Sequence, residues 1–223
     1  MCGRFLEFSP IRTLISRFDL DPEGLGELRP RYNIAPSQEV LAVVAGEGKY
    51  QLRQFRWGLV PGWARDPKIG YKMINARAET VAEKPAYRSA FVNRRCLIPA
   101  DGFYEWKRDG TSRTPYFFHL NTSEPFGFGG LYERWVSPEG EVIDSCTIIT
   151  TTPNSLMAPI HDRMPFIVPR KQETLWLDPE VQNQAALTSL MLPYPAEEMD
   201  AYPISPLVNS PTHDSPDNIV QVP

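Results

Sequence analysis

Histidine and cysteine are both scarce in this chain of 223 residues, with three of each. Three cysteines cannot pair evenly, and none stands in a CxxC spacing. No disulfide framework is expected, and a reducing, cytoplasmic setting is. The histidines are His119, His161 and His213, and no His/Cys spacing fits a zinc site. Neither a metal nor a cofactor is therefore predicted. No apolar run reaches the length of a membrane span or a signal h-region, so no membrane partner is expected. Internal repeats and regular βαβ alternation are also missing, which argues against solenoids and doubly wound folds.

Proline is the opposite case: 23 residues argue for many loops and against a mainly helical chain. The 42% hydrophobic content and five tryptophans fit one globular domain, long enough to bury a core. The net charge of −4 hides an asymmetry: residues 1–113 carry 19 Lys and Arg against 13 Asp and Glu, residues 114–223 only 4 against 14. Arginine dominates the basic half, and its forked guanidinium suits phosphate, so a basic face for a phosphate-bearing partner is one reading. A solvated surface is the other.

Ser9-Pro10 reads as an N-cap with proline at the first helical position. Ile11, Leu14, Ile15 and Phe18 then follow helical spacing. Val40–Val44 and Tyr50–Trp57 read as paired strands, and Met73–Arg77 as a short strand presenting Asn75 and Arg77 on one face. Pro85 opens a second helix. Further strands are expected over Cys96–Ile98, Phe126–Trp135, Val142–Thr151 and Met164–Val168, and a hairpin turns across Asp109-Gly110. Helices near 170–177 and 179–191 precede a proline-rich tail. Together these predict an α+β fold: a strongly bent, mostly antiparallel, barrel-like sheet with peripheral helices.

The chemistry begins at Met1-Cys2-Gly3-Arg4. Initiator methionine is normally trimmed before a residue as small as cysteine. Cys2 would then carry a free amine and a thiol on one residue, each a nucleophile near neutrality. The amine can condense with an aldehyde and the thiol can close on the same carbon, giving a thiazolidine. Alternatively, the amine serves as base for the thiol, as in N-terminal nucleophile hydrolases. Gly3 lets backbone approach a ligand, and Arg4 is a fixed cation. Glu105 stands among aromatics, where a raised pKa would suit acid–base work, or it is the solvent-facing member of a strand. His161 is a proton donor or a turn histidine. Asn75 fixes a loop or orients a carbonyl or hydroxyl.

Six segments together resemble the SRAP (SOS response-associated peptidase) family. They are Met1–Phe5, Arg31–Pro36, Trp57–Trp63, Ile74–Thr80, Pro99–Lys107 and Ile160–Pro165, in the family's order. The resemblance implies one domain over 1–223, with its motifs in 2–170; residues 171–223 carry nothing diagnostic. It also implies that the protein binds abasic sites in single-stranded DNA and forms a covalent DNA–protein crosslink that shields the lesion. Carried over, Cys2 is the crosslinking residue, Asn75 steadies the ring-opened sugar, and Glu105 and His161 move protons. Arg4 and Arg77 hold phosphates and Trp63 stacks on or wedges a base. Gly3, Asn33, Pro36, Trp106 and Thr150 line the DNA site. "Peptidase" refers to removal of the residue before Cys2, here autoproteolytic loss of Met1, and the family also implies an abasic-site lyase activity. A monomer, in the cytoplasm and at the nucleoid when on DNA, is expected. Two rivals stand beside it: an N-terminal nucleophile glutamine amidotransferase using the Cys2 thiol, and a non-catalytic single-strand reader.

Overall fold

The computed structural model describes residues 2–222. Its centre is a closed five-stranded barrel built by period-two alternation. Strands β3 (Glu39–Val44) and β4 (Gln51–Trp57) form the expected antiparallel pair. β3 also pairs with β6 (Arg95–Ala100), and β6 with β9 (Phe126–Val136). β9 then pairs with β10 (Val142–Thr151). β10 closes the ring on β4, with Cys146 opposite Trp57 in parallel register. Val40, Ala42, Val44, Phe55, Cys96, Ile98, Phe128 and Ile148 face one buried cluster. Their strand neighbours Val43, Leu97, Leu131 and Ile149 face a second, under the helices. Such alternation is what a strand between two apolar layers requires.

Past Ile148, β10 gains two new neighbours. β5 (Asn75–Arg77) lies parallel to it, Asn75 opposite Ile148 and Arg77 opposite Thr150. β11 (Met164–Pro165) lies antiparallel, Thr150 opposite Pro165. The expected strand over Met164–Val168 is thus a two-residue strand plus a bridge from Ile167 to Phe128. The loop after β4 depends on Gly58, whose φ is +131° and whose Cα lies against the Gly70 carbonyl; an added Cβ would sit 2.6 Å from that oxygen.

A second sheet lies against the barrel in the order β12–β8–β7–β1–β2. It comprises β1 (Phe5–Glu7), β2 (Arg31–Ile34), β7 (Gly102–Asp109), β8 (Ser112–Leu120) and β12 (Met199–Pro203). β7 and β8 form the expected hairpin, with Gly110 at φ +56° in its turn. β12 lies in the proline-rich tail, where no strand was expected.

The helices are α1 (Ile11–Phe18), α2 (Arg88–Asn93), α3 (Glu173–Leu177) and α4 (Gln184–Leu190). α2 starts three residues beyond Pro85, and α3 and α4 are shorter than their periodicity predicts. The Ser9 cap is corrected by the structure. Ser9 Oγ donates to Asp101 Oδ1 at 2.5 Å, and α1 begins at Ile11 with Pro10 at its N-cap position and no side-chain cap. A buried carboxylate facing two backbone N–H groups and a hydroxyl outcompetes a local turn. Among the described residues, no helix is long and apolar enough to cross a membrane.

Candidate functional site

Alternation along β7 decides which side chains meet. Phe103 packs in the barrel-side cluster with Phe5 and Cys2, whereas Tyr104 packs on the opposite face with Leu6 and Val208. Glu105, two residues from Phe103, shares its inward face and is only 3% exposed. Burial pushes its carboxyl up to about 7, the nearby charge of Asp162 adds to this, and the Trp106 backbone N–H opposes it. Of the two placements of Glu105, the solvent-facing one is excluded by this burial.

Cys2 is fully buried beside it. Its thiol is held well above its ordinary value, first by burial and second by the Glu105 charge, so at neutral pH it is a protonated thiol. Asn75, at the start of β5, donates from Nδ2 to the Cys2 carbonyl at 2.8 Å. Its own carbonyl accepts from Tyr87 Oη at 3.3 Å. Asn75 Oδ1 is buried with no hydrogen-bond partner among the described residues. An orphaned acceptor in a pocket is an open position for a donor on a ligand.

His161 arrives on a tight turn in which the His161 and Ile160 N–H groups both donate to the Met157 carbonyl. Its Nδ1 lies 3.0 Å from the Arg163 backbone N and 2.9 Å from Asp162 Oδ1. Burial above all lowers its pKa, Asp162 opposes this, and the cationic Arg108 adds a smaller lowering. Arg163 closes a fork on Glu79, with Nη1 and Nη2 at 2.6 and 2.9 Å from the two carboxylate oxygens. Nη2 also donates to the Thr150 carbonyl at 2.6 Å. The Asn75 strand, β10 and the His161 turn are thereby tied at one point. Asn75 bonds the Cys2 backbone, the Glu105 carboxyl lies near enough to raise the Cys2 thiol, and the loop bearing His161 brings the Asp162 charge near Glu105.

The residues expected on DNA fall into two groups. Arg77 is exposed and Trp63 is 61% exposed; Gly3 and Pro36 are half-buried. Thr150 is buried, its hydroxyl donating to the Ala76 carbonyl at 3.3 Å. Arg4, Asn33 and Trp106 instead meet the C-terminal tail. Arg4 Nη1 donates to Asn33 Oδ1 at 2.7 Å and to the Val208 carbonyl at 2.8 Å. The Asn33 amide, 2% exposed, donates to the carbonyls of Val208, Ser210 and His213. Trp106 Nε1 donates to Asn209 Oδ1 at 2.7 Å, with the Arg4 guanidinium 5.9 Å from its ring centre. Asn33 thus organises Arg4 from inside the protein. The tail's part here had no signal in the sequence. Glu79 and Arg163 lay inside matched motifs, and their opposite charges were the available clue.

A chain that sets a cysteine near its start, a buried glutamate and an asparagine beside a small closed β-barrel can be placed by comparison. The model of the SOS response associated peptidase (SRAP) family matches residues 1–211. The chain belongs to that family. It is 51% identical to a Bacillus subtilis (strain 168) protein named abasic site processing protein YoqW, over 98% of this chain and 99% of that one. It is 32% identical to abasic site processing protein HMCES of Xenopus tropicalis, over 85% of this chain and 65% of that one. A crystal structure of a Bacteroides thetaiotaomicron protein superimposes with a TM-score of 0.88 at 28% identity, covering 99% of this chain and all of that one.

Proposed function

We propose that this protein processes abasic sites in single-stranded DNA by covalent capture at Cys2. The observation that carries this reading is the Asn75 hydrogen bond to the buried Cys2, whose thiol feels the charge of the buried Glu105. The names of its relatives as abasic site processing proteins support it. An abasic sugar equilibrates between a closed hemiacetal and an open aldehyde. His161 donates a proton toward the ring oxygen and favours opening. The Cys2 amine, freed when water cleaves the Met1–Cys2 peptide bond, attacks the aldehyde carbon. Glu105, titrating near neutrality, accepts the amine proton and water leaves, giving an imine. The thiol sulfur then adds to the imine carbon, its proton passes to the nitrogen, and the thiazolidine ring closes. A neutral thiol suits this order, since the amine and not the thiolate makes the first attack. With the aldehyde consumed, β-elimination of the strand is blocked. Asn75 Oδ1 accepts a hydroxyl of the open sugar. Arg77 holds phosphate and Trp63 stacks on a base, a sequence-tolerant contact.

Met1 lies outside the described residues. While it remains attached, the Cys2 nitrogen is an amide whose lone pair is delocalised, and no imine can form. The test is intact mass of Met1-retaining and trimmed protein after incubation with the same abasic oligonucleotide. Trimmed protein is expected to gain the mass of the oligonucleotide less one water, stable to denaturation, and the Met1-retaining form to gain none. Equal adduct on both forms would overturn the N-terminal mechanism.

A further inference from the structure

Two large aromatic side chains stand in solvent on the loop between β4 and β5: Trp63, and Tyr71 at 57% exposure. Rings of this size are normally spent on burying area. Here the core takes their chain neighbours instead, for Ala64 and Gly70 are buried. The Ala64 carbonyl accepts from Trp135 Nε1 at 2.7 Å. A Cβ on Gly70 would lie 2.6 Å from the Gly58 carbonyl oxygen, so the two backbones touch. On the far side of Tyr71, the Met73 carbonyl accepts from the Leu59 N–H at 3.1 Å, and the Ile74 carbonyl from Trp57 Nε1 at 2.9 Å. The loop is thus pinned before and after Tyr71, and a fixed backbone holds the ring out. Rigid presentation of this kind lowers the entropic cost of a contact. The ring also has a brace: the Arg56 guanidinium, from β4, lies 5.0 Å from its centre.

Charge says what the ring meets. From Arg56 to Arg77 the chain holds five Lys and Arg against Asp66 alone. Asp66 is itself engaged, its Oδ1 accepting from the Lys68 N–H at 2.8 Å. Aromatic faces beside cations that follow a phosphate chain are the features that hold a single strand without regard to sequence. The loop runs straight into β5, where Asn75 bonds Cys2 and Arg77 stands exposed. Tyr71 precedes Asn75 by four residues, a reach of at most about 14 Å. We propose that Tyr71, braced by Arg56, is a second stacking platform, which takes a nucleobase of the unpaired strand a few nucleotides from the abasic site. This rests on the capture of single-stranded DNA proposed above and adds a base contact beyond Trp63. Stacking uses the face of the ring and not its hydroxyl, so phenylalanine can replace Tyr71 and alanine cannot.

The test uses single-stranded oligonucleotides with one unreactive tetrahydrofuran site and flanks of stepwise increasing length on either side. Fluorescence anisotropy reads their binding to wild type, Tyr71→Ala and Tyr71→Phe. Tyr71 is exposed, so the variants are expected to fold, and equal urea midpoints check this. With long flanks, Tyr71→Ala should bind about tenfold more weakly than wild type, and Tyr71→Phe within twofold of it. As one flank is shortened, wild type should fall to the affinity of Tyr71→Ala, and the two should then stay equal. A long flank whose bases are replaced by tetrahydrofuran, with its phosphates kept, should lower wild type to the same level; this arm needs no variant. Affinity of Tyr71→Ala within twofold of wild type at every flank length overturns the proposal. So does a Tyr71 effect that survives loss of the flank's bases or their pairing into duplex. Adduct formation is measured separately on a short oligonucleotide with a true abasic site. If Tyr71 acts as stated and no adduct forms, the platform stands and the covalent-capture reading falls. If wild type and Tyr71→Ala form adducts alike and Tyr71 has no effect on binding, capture stands and the platform falls.

Discussion

The Asn75 side-chain amide donates to the backbone carbonyl of Cys2 across 2.8 Å, joining residues 73 positions apart. This one bond fixes where Cys2 sits relative to β5, and it leaves Asn75 Oδ1 buried with no hydrogen-bond partner among the described residues. An aspartate here would turn the donor into a second acceptor facing a carbonyl. Asn75→Asp is therefore expected to destabilise the fold by about 2 kcal/mol and to cut the rate of adduct formation at least tenfold. Urea unfolding and intact mass with an abasic oligonucleotide check the two effects.

Glu105 gives the pH dependence its sign. Its folded pKa of about 7 lies above the ordinary value of 4.5, so the folded state holds the proton through this window. Stability contributed by Glu105 is fully present below about 4.5 and is lost as pH rises through about 7. The base form needed for proton transfer grows over the same range. The adduct rate should rise between pH 6 and 8, and Glu105→Gln should be slower and lose that rise, with oligonucleotide affinity within twofold. An unchanged profile in the variant would remove Glu105 as the base.

Arg77 is exposed on β5 and is the cation assigned to phosphate. Arg77→Ala should weaken binding of single-stranded DNA and lower the slope of log affinity against log salt by about 0.7. Fluorescence anisotropy over a salt series measures this, and an unaltered slope would count against a phosphate contact.

Asn33 holds three tail carbonyls and the Arg4 guanidinium from a buried position. Asn33→Ala leaves those carbonyls without their donor, at a cost of about 3 kcal/mol. The freed Arg4 should lower affinity for single-stranded DNA several-fold, with the adduct rate at saturating oligonucleotide little changed. Chemical denaturation and binding isotherms separate the two contributions.

The sequence by itself determined whatever is encoded within a few residues. Period-two patterns gave the β3–β4 pair and the β7–β8 hairpin. Helical spacing gave α1, and the second residue gave the proposed nucleophile. Even so, local signals failed where a distant partner was stronger: Ser9 reads as a helix cap, yet Asp101, 92 positions away, takes its hydroxyl. Glu105 could be read as solvent-facing or buried, because alternation fixes which residues share a face but not what covers that face. Only the tertiary structure decided that β10 closes the barrel in parallel on β4, and that the tail beyond Ser205 holds Arg4 and Trp106. It alone joined Glu79 to Arg163. The physical reason is common to all three. Hydrogen bonds and ion pairs between segments far apart in the chain leave no periodicity in either segment, and they form only once hydrophobic burial has brought the strands together.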